Sequence, residues 1–145
     1  MKADTPNPHQ PPKPTDSYMS PQSLELVNKS KSQMRKGMLE YCVLLLLSRE
    51  ASYANDIIIR LREAELIVVE GTLYPLLTRL KKDELLSYQW RESTQGPPRK
   101  YYELTETGRL FLQGLDAAWN ELARTVSLLK GIAPQLPPPP TPLQP

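Results

Sequence analysis

The chain has 145 residues and a formal net charge of only +2, so it allows one domain of ordinary size and gives no strong electrostatic sign of nucleic acid. Its single cysteine excludes an internal disulfide, and its single histidine, His9, lies too close to the N-terminus for a Ser-His or Cys-His pair in a folded core. Clustered zinc ligands and a Gly-rich phosphate loop are both absent from the sequence. The composition argues against an enzyme and indicates no metal or cofactor.

Proline is concentrated at the two ends. Six of the sixteen prolines lie between Pro6 and Pro21, and seven lie between Pro134 and Pro145. Because proline lacks an N–H and has a fixed φ, we predict disordered arms at residues 1–22 and 132–145. The polar N-terminus does not resemble a signal peptide, and the apolar run at 41–47 is far below the ~20 residues that span a bilayer. We expect a cytoplasmic protein without a membrane partner.

The first predicted helix covers about residues 32–49 and is apolar on most sides. Such a helix is expected to be buried by its own domain and by a partner chain. Cys42 lies in this apolar part and is interpreted as a buried structural thiol. Lys31, Arg35 and Lys36 open the helix, where cations oppose the macrodipole. Either a DNA phosphate relieves that repulsion or the end is simply a solvated basic surface.

Two shorter helices follow. The second is predicted at about residues 53–65, with Ser52 as its N-cap. The third is predicted at about 72–83, and Pro75 places its start near Gly71 or Thr72, since proline is tolerated in a first turn. Leucines at 73, 76, 77 and 80 have the i, i+3, i+4, i+7 spacing of a buried stripe, which leaves a polar outer surface.

A hairpin and a long helix complete the folded part. Alternating residues predict strands at 86–92 and 99–104, joined by turn residues at 93–98, with Trp90 packed on the domain. The last helix is predicted from an N-cap at Thr105 to about Lys130. Its seam has a heptad spacing and implies a partner helix from a second copy, although burial inside one subunit remains an alternative. The seam consists of Leu112, Leu115, Trp119, Leu122, Val126 and Leu129.

Three helices followed by a two-stranded hairpin are typical of a winged helix-turn-helix. The predicted fold class is mainly α with a small two-stranded hairpin (α+β), extended by a long C-terminal dimerisation helix. We predict a winged-helix DNA-binding domain at residues 23–105 and the dimerisation helix at 106–131. The major groove admits one α-helix, and the third helix presents Thr, Tyr, Arg and Lys to it. The hairpin carries Arg91, Arg99 and Lys100, which suit contact with the DNA backbone or the minor groove.

Two segments resemble the PadR family of transcriptional regulators. They are GTLYPLLTRL at 71–80, similar to the family's recognition helix, and RKYYELTETG at 99–108, similar to its second wing strand and the start of its C-terminal helix. The single C-terminal helix is similar to the smaller subgroup. Two departures are Val69-Glu70, where a polar cap is usual, and Pro97-Pro98, where a basic, Gly-rich wing tip is common.

The resemblance implies a bacterial repressor that binds a palindromic operator in double-stranded DNA as a homodimer and is released by a small aromatic or amphipathic effector. The candidate DNA-binding residues are Lys31, Arg35, Lys36, Tyr53, Thr72, Tyr74, Thr78, Arg79, Lys82, Gln95, Gly96, Arg99 and Lys100. The candidate dimer interface adds Met34, Met38, Tyr41 and Leu45 to the C-terminal seam. Trp119 is a candidate effector contact, since its flat face can stack on an aromatic ring, and plain interface packing is its alternative role.

Two other functions fit part of the pattern. A winged helix also serves as a protein-interaction module without specific DNA binding, because fold does not fix function. The Arg and Lys on the third helix favour DNA over that alternative. A MarR-like regulator is the nearest DNA-binding rival, but it normally has further helices that this chain is too short to hold.

Overall fold

The computed structural model describes residues 18–132, which form four helices and one two-stranded sheet. The elements in chain order are α1 (Pro21–Arg49), α2 (Ala54–Glu63), α3 (Glu70–Lys82), β1 (Leu86–Ser93), β2 (Gly96–Leu104) and α4 (Glu106–Leu129). The predicted fold class, mainly α with a small hairpin, is confirmed. Most of the two predicted proline-rich arms lies outside the described residues.

Helix α1 begins much earlier than the sequence pattern predicts. The Oγ of Ser20 accepts a hydrogen bond from the Ser23 N–H at 3.2 Å, and Pro21 is the first helical residue. Proline suits this position because its φ is preset and its missing N–H would be unpaired anyway. The predicted start at Ser32 was wrong, and so was the disorder predicted for the last residues of the N-terminal arm.

The early start also removes the predicted macrodipole repulsion. Lys31, Arg35 and Lys36 lie in the interior of α1, whereas the macrodipole acts within the first turn. These three cations belong to a compact unit that ends at Leu39, while the rest of the fold belongs to a second unit that begins at Glu40.

The core of the second unit is built from apolar stripes on every element. On α3 the predicted stripe is confirmed, with Leu73, Leu77 and Leu80 inaccessible to solvent and Leu76 half-buried. Burying leucine side chains of this kind stabilises a fold by about 1.5–3 kcal/mol each. The other core residues are Val43, Leu44, Leu47, Ala54, Ile57, Ile58, Leu61, Val68, Leu85, Leu86, Tyr102, Leu104 and Leu112.

Ser52 joins the hairpin instead of capping α2. Its N–H donates to the Tyr102 carbonyl at 3.1 Å, and its carbonyl accepts from the Tyr102 N–H at 2.9 Å. Its hydroxyl is buried and accepts a hydrogen bond from Arg60 at 3.0 Å. The predicted cap was therefore wrong: Tyr53 occupies the N-cap position without a side-chain hydrogen bond.

Helix α3 starts at Glu70, slightly before the predicted position. Its N-cap, Val69, makes no side-chain cap bond, and its carbonyl accepts from the N–H groups of Thr72 and Leu73 at 3.0 and 3.1 Å. Pro75 consequently lies in the second turn, where it deprives the Gly71 carbonyl of a helical donor. Gly71 is exposed, so water can hydrate that carbonyl, and the helix tolerates the loss.

The two strands pair antiparallel and are longer than predicted at the tip. Arg91 lies opposite Arg99 and Ser93 lies opposite Gly96, so the register shifts between these pairs. The extra residue lies on β2, at Pro97 and Pro98. Proline has no N–H to donate to the ladder, so it is tolerated at a bulge of this kind. The connection is reduced to Thr94-Gln95, and the predicted six-residue turn was too long.

Helix α4 begins as predicted. The Thr105 hydroxyl accepts from the Gly108 N–H at 2.9 Å and donates to the Glu84 carbonyl at 2.6 Å. A Cβ on Gly108 would overlap the Leu85 carbonyl, so the first turn of α4 approaches the α3–β1 connection as only glycine permits. The start of α4 is thereby fixed on the winged domain.

Candidate nucleic-acid interface

The outer face of α3 is polar and exposed along its whole length. The leucine stripe holds the opposite face in the core, so the exposed side chains project from a fixed body. This combination of a rigid helix and a compact polar surface suits insertion into a major groove. The exposed residues are Glu70, Gly71, Thr72, Tyr74, Pro75, Thr78, Arg79, Lys81 and Lys82.

Two of the predicted base readers already have partners within the protein. A guanidinium nitrogen of Arg79 lies 3.5 Å from a carboxylate oxygen of Glu40, and the Arg79 side chain remains 55% exposed. The Thr78 hydroxyl donates to the Tyr74 carbonyl at 3.0 Å. Because a guanidinium carries five donors, the ion pair with Glu40 leaves Arg79 able to bind DNA.

On one face of the hairpin, arginine and tyrosine side chains form a continuous stack with the start of α2. The Arg99 guanidinium carbon lies 4.4 Å from the Tyr53 ring centre, and that of Arg91 lies 4.5 Å from the Tyr101 ring centre. The two tyrosine rings are 5.4 Å apart. We call these four residues the arginine–tyrosine stack. The sequence pattern predicted Tyr53 and Arg99 as candidate DNA contacts and Arg91 as a further hairpin cation suited to DNA, but it did not include Tyr101.

The other face of the hairpin has a second group of cations and aromatic rings. The Lys100 ammonium lies 4.5 Å from the Tyr88 ring centre and 5.3 Å from that of Trp90, and Lys81 of α3 lies 5.8 Å from Tyr88. Trp90 is 62% exposed, so the expectation that it packs on the domain was wrong. The inner residues of this face, Leu86 and Tyr102, cover the core, whereas Trp90 lies farther out along the strand.

The remaining candidate DNA contacts are more scattered. Gln95 and Gly96 are exposed at the hairpin tip, as predicted. In the unit that ends at Leu39, Lys36 is exposed and Lys31 and Arg35 are half-buried. Among the candidate DNA contacts of the second unit, those that lie close together belong to α3, the hairpin and the start of α2.

Along α4, the residues of the seam change from buried to exposed. Leu112 is buried in the core of its own protomer, so its predicted place in a dimer interface was wrong, and Leu115 is half-buried. Beyond Leu115 the seam is open to solvent. The exposed fractions are 45% for Trp119, 59% for Leu122, 49% for Val126 and 84% for Leu129.

The predicted interface residues of α1 also differ in exposure, and one of them is hydrogen-bonded to α4. Tyr41 donates a short hydrogen bond to a carboxylate oxygen of Asp116, which ties α1 to α4 within one protomer. Burial and the Asp116 carboxylate raise the pKa of Tyr41 to about 12. Leu45 is 37% exposed, and in the first unit Met34 is 71% exposed and Met38 half-buried. Cys42 is half-buried rather than fully buried, and burial raises the pKa of its thiol.

The fold and the exposed α3 surface define a winged helix-turn-helix protein of the DNA-binding type. The profile of the transcriptional regulator PadR-like family matches residues 43–114. The chain is 68% identical to a PadR-like transcription factor from Bacteroides fragilis whose crystal structure superposes with a TM-score of 0.60; the match covers 70% of this chain and 98% of that one. The chain belongs to the PadR-like family of transcriptional regulators.

Two further crystal structures are similar. A PadR family regulator from Eggerthella lenta is 31% identical, with a TM-score of 0.70, over 76% of this chain and 96% of its own. A PadR-like regulator from Bacillus cereus is 36% identical, with a TM-score of 0.61, over 67% and 95% respectively. The family is one of DNA-binding transcriptional regulators and not of enzymes. Among residues 18–132, no helix combines the length and apolar character that crossing a bilayer requires.

Proposed function

We propose that this protein is a repressor that binds a palindromic operator in double-stranded DNA as a homodimer, in a bacterial cytoplasm, and is released by a small aromatic or amphipathic compound. The exposed seam of α4 is the observation that supports the dimer. Four large apolar side chains at heptad spacing are open to solvent in one protomer, and a second copy of the helix would cover them. A two-fold dimer presents two recognition helices, which matches a palindromic site.

The DNA contacts of the proposal come from three elements. On α3, Arg79 reads a base or grips a phosphate, helped by Thr72, Tyr74, Thr78 and Lys82. In the hairpin, Gln95, Gly96, Arg99 and Lys100 contact the backbone, and Tyr53 does so at the start of α2. The exposed surface of α3 supports the first group. Lys31, Arg35 and Lys36 remain proposed phosphate contacts of α1.

The proposed effector contact is Trp119. Its indole is 45% exposed in the middle of the seam, where two copies would bring two indoles to one interface. The chain has two tryptophans, so Trp90→Phe leaves Trp119 as the only tryptophan fluorophore. Quenching of that protein's emission by planar aromatic compounds, with a loss of DNA binding over the same concentration range, would support an effector site at the seam.

The proposed function is tested first by DNA binding across a salt series. The probes are the DNA upstream of the gene that encodes this chain and a random duplex of equal length. We expect a sequence-specific complex of two chains per site whose affinity falls steeply with salt. Equal, weak binding to both duplexes would contradict specific recognition of that DNA. Negligible binding to both duplexes would contradict the DNA-binding proposal and would favour the alternative, a protein-interaction module, which a partner search would then test.

A further inference from the structure

The arginine–tyrosine stack joins two elements that approach DNA separately in the proposed function. Tyr53 is the N-cap residue of α2, whereas Arg91, Arg99 and Tyr101 belong to the hairpin. Distances of 4.4, 5.4 and 4.5 Å run from Arg99 through the two tyrosine rings to Arg91. The wing is therefore held to the start of α2 by side chains as well as by the Ser52–Tyr102 backbone pair.

The stack leaves the arginines chemically available. A guanidinium attracted to an aromatic ring uses its flat face, while its five N–H donors lie in its plane. Within residues 18–132 neither Arg91 nor Arg99 forms an ion pair, in contrast to Arg60 and Arg79, which are paired with carboxylates. Arg91 is exposed and Arg99 is half-buried, so each retains contact with solvent.

Ordering matters here because a free arginine is a costly group to immobilise. A long flexible side chain loses rotamer freedom when it grips a phosphate, and this loss offsets part of the binding free energy. A side chain that already rests on a ring has lost much of that freedom before DNA arrives. Two half-buried tyrosines are suited to this task, since each ring has only two side-chain torsions.

We propose that Tyr53 and Tyr101 are positioning residues that hold Arg99 and Arg91 in place as preset phosphate donors of the wing. This inference rests on the proposed DNA-binding function and adds to it a division of labour. The arginines contact the DNA backbone, and the tyrosine rings orient the arginines. Arg91 is thereby assigned a phosphate contact, and Tyr101 acts through Arg91.

The test compares four changes in the full-length chain on one random 40-base-pair duplex, because phosphate contacts do not depend on sequence. Tyr101→Leu removes the ring and Tyr101→Phe keeps it, while Arg91→Ala removes the proposed contact and the double change combines Tyr101→Leu with Arg91→Ala. Affinity is measured at fixed salt and across a salt series. Circular dichroism and thermal melting identify any variant that fails to fold.

We expect Tyr101→Leu to weaken binding about 2-fold to 12-fold per protomer, the range for immobilising one side chain, and Tyr101→Phe to bind like the unchanged protein. Arg91→Ala should reduce the salt slope by about 1 per protomer, the value for one lost phosphate contact, and therefore by about 2 for a bound dimer. In the Arg91→Ala background, the Leu substitution should cost no further affinity, because the residue that it positions is gone. Tyr53→Leu and Arg99→Ala form a second pair. Because Tyr53 is also a proposed backbone contact, Tyr53→Leu should keep part of its cost in the Arg99→Ala background.

The outcomes separate the inference from the function on which it rests. Binding by Tyr101→Leu equal to that of the unchanged protein would overturn the inference while the DNA-binding proposal stands. Equal losses in the presence and absence of Arg91 would also overturn it, since a merely structural tyrosine acts in both backgrounds. A loss in Tyr101→Phe as large as in Tyr101→Leu would assign the effect to the hydroxyl and not to the ring. Failure of the unchanged protein to bind either the random duplex or the upstream DNA would overturn both proposals together.

Discussion

Helices α3 and α4 carry apolar side chains at the same alternating spacing of three and four residues, yet the structure covers them differently. Leu73, Leu77 and Leu80 of α3 are inaccessible to solvent, whereas Leu122 and Leu129 of α4 are 59% and 84% exposed. The spacing identifies which face of a helix is apolar, but it does not identify what covers that face. In α3 the cover is the protomer itself, and for the far half of α4 we propose a second protomer.

The largest effect is expected where this proposed cover is disrupted. Leu122→Asp would place a carboxylate in the apolar seam of each copy, at a cost of several kcal/mol per ion, so we expect monomers by sedimentation equilibrium. The protomer should keep its helical circular dichroism, because Leu122 is largely exposed within it. Asn120→Asp, which adds the same charge at an exposed position outside the seam, is the control and should remain dimeric. A dimeric Leu122→Asp protein would mean that the copies associate through another surface.

The next largest effect is expected in the leucine stripe of α3, which the protomer itself covers. Leu77→Ala should lower the free energy of unfolding by about 2–5 kcal/mol, since it leaves a cavity under α3. Urea denaturation at a fixed protomer concentration measures the loss. Leu128→Ala, at a position of α4 that is 57% exposed and outside the seam, is the control and should cost about 0.5 kcal/mol or less. A Leu77→Ala cost as small as that of the control would show that α3 is not held by its leucine stripe.

A smaller effect concerns the outer face of α3. Arg79→Ala should weaken specific DNA binding by about 1–3 kcal/mol if Arg79 reads a base. The same change breaks the ion pair with Glu40, so Glu40→Gln serves as a control that removes the pair and keeps the arginine. We expect Glu40→Gln to retain its affinity for DNA and to change stability by at most about 1 kcal/mol. Unaltered binding by Arg79→Ala at fixed salt would refute the assignment.

The smallest effect lies at the attachment of α4 to its own protomer. The Tyr41 pKa is raised from 10.0 to about 12 in the folded protein, so the tyrosine's contribution is present below pH 10 and lost as the pH rises toward 12. Ionisation removes the proton that Tyr41 donates to Asp116 and places two negative charges together. We expect the melting temperatures of the unchanged protein and of Tyr41→Phe to converge over that pH range. A difference that stays constant to pH 12 would show that folding does not raise the pKa of Tyr41.

Most of the fold followed from periodicity and from a few residues with strong local preferences. The leucine stripe of α3, the alternation in β1 and the cap at Thr105 each depend on neighbours in sequence, so they could be predicted. Ser20-Pro21 carried an equally local signal for the start of α1, an N-cap followed by proline at the first helical position, and the concentration of prolines obscured it.

The errors arose where distant residues decide the outcome. Ser52 has the preferences of a cap, but its backbone groups pair with Tyr102, and local propensity does not contain that partner. Trp90 is apolar, but it lies at a position of β1 that extends beyond the core. The arginine–tyrosine stack joins α2 to the hairpin across the fold, which is why the sequence pattern revealed neither Tyr101 nor the contacts that join the four residues.

The Ser52–Tyr102 pair has a topological consequence. It closes a loop that contains α2, α3 and β1, so the chain enters and leaves the segment that contains these elements at adjacent points. The end of α1 and the start of α4 must therefore emerge side by side, which places Tyr41 within reach of Asp116. Ser52 and Tyr102 are far apart in sequence, whereas each helix forms from contacts between residues only a few positions apart. We therefore expect the Ser52–Tyr102 pair to form late in folding. The end of α1 and the start of α4 would then take up their positions relative to α2, α3 and β1 in one step.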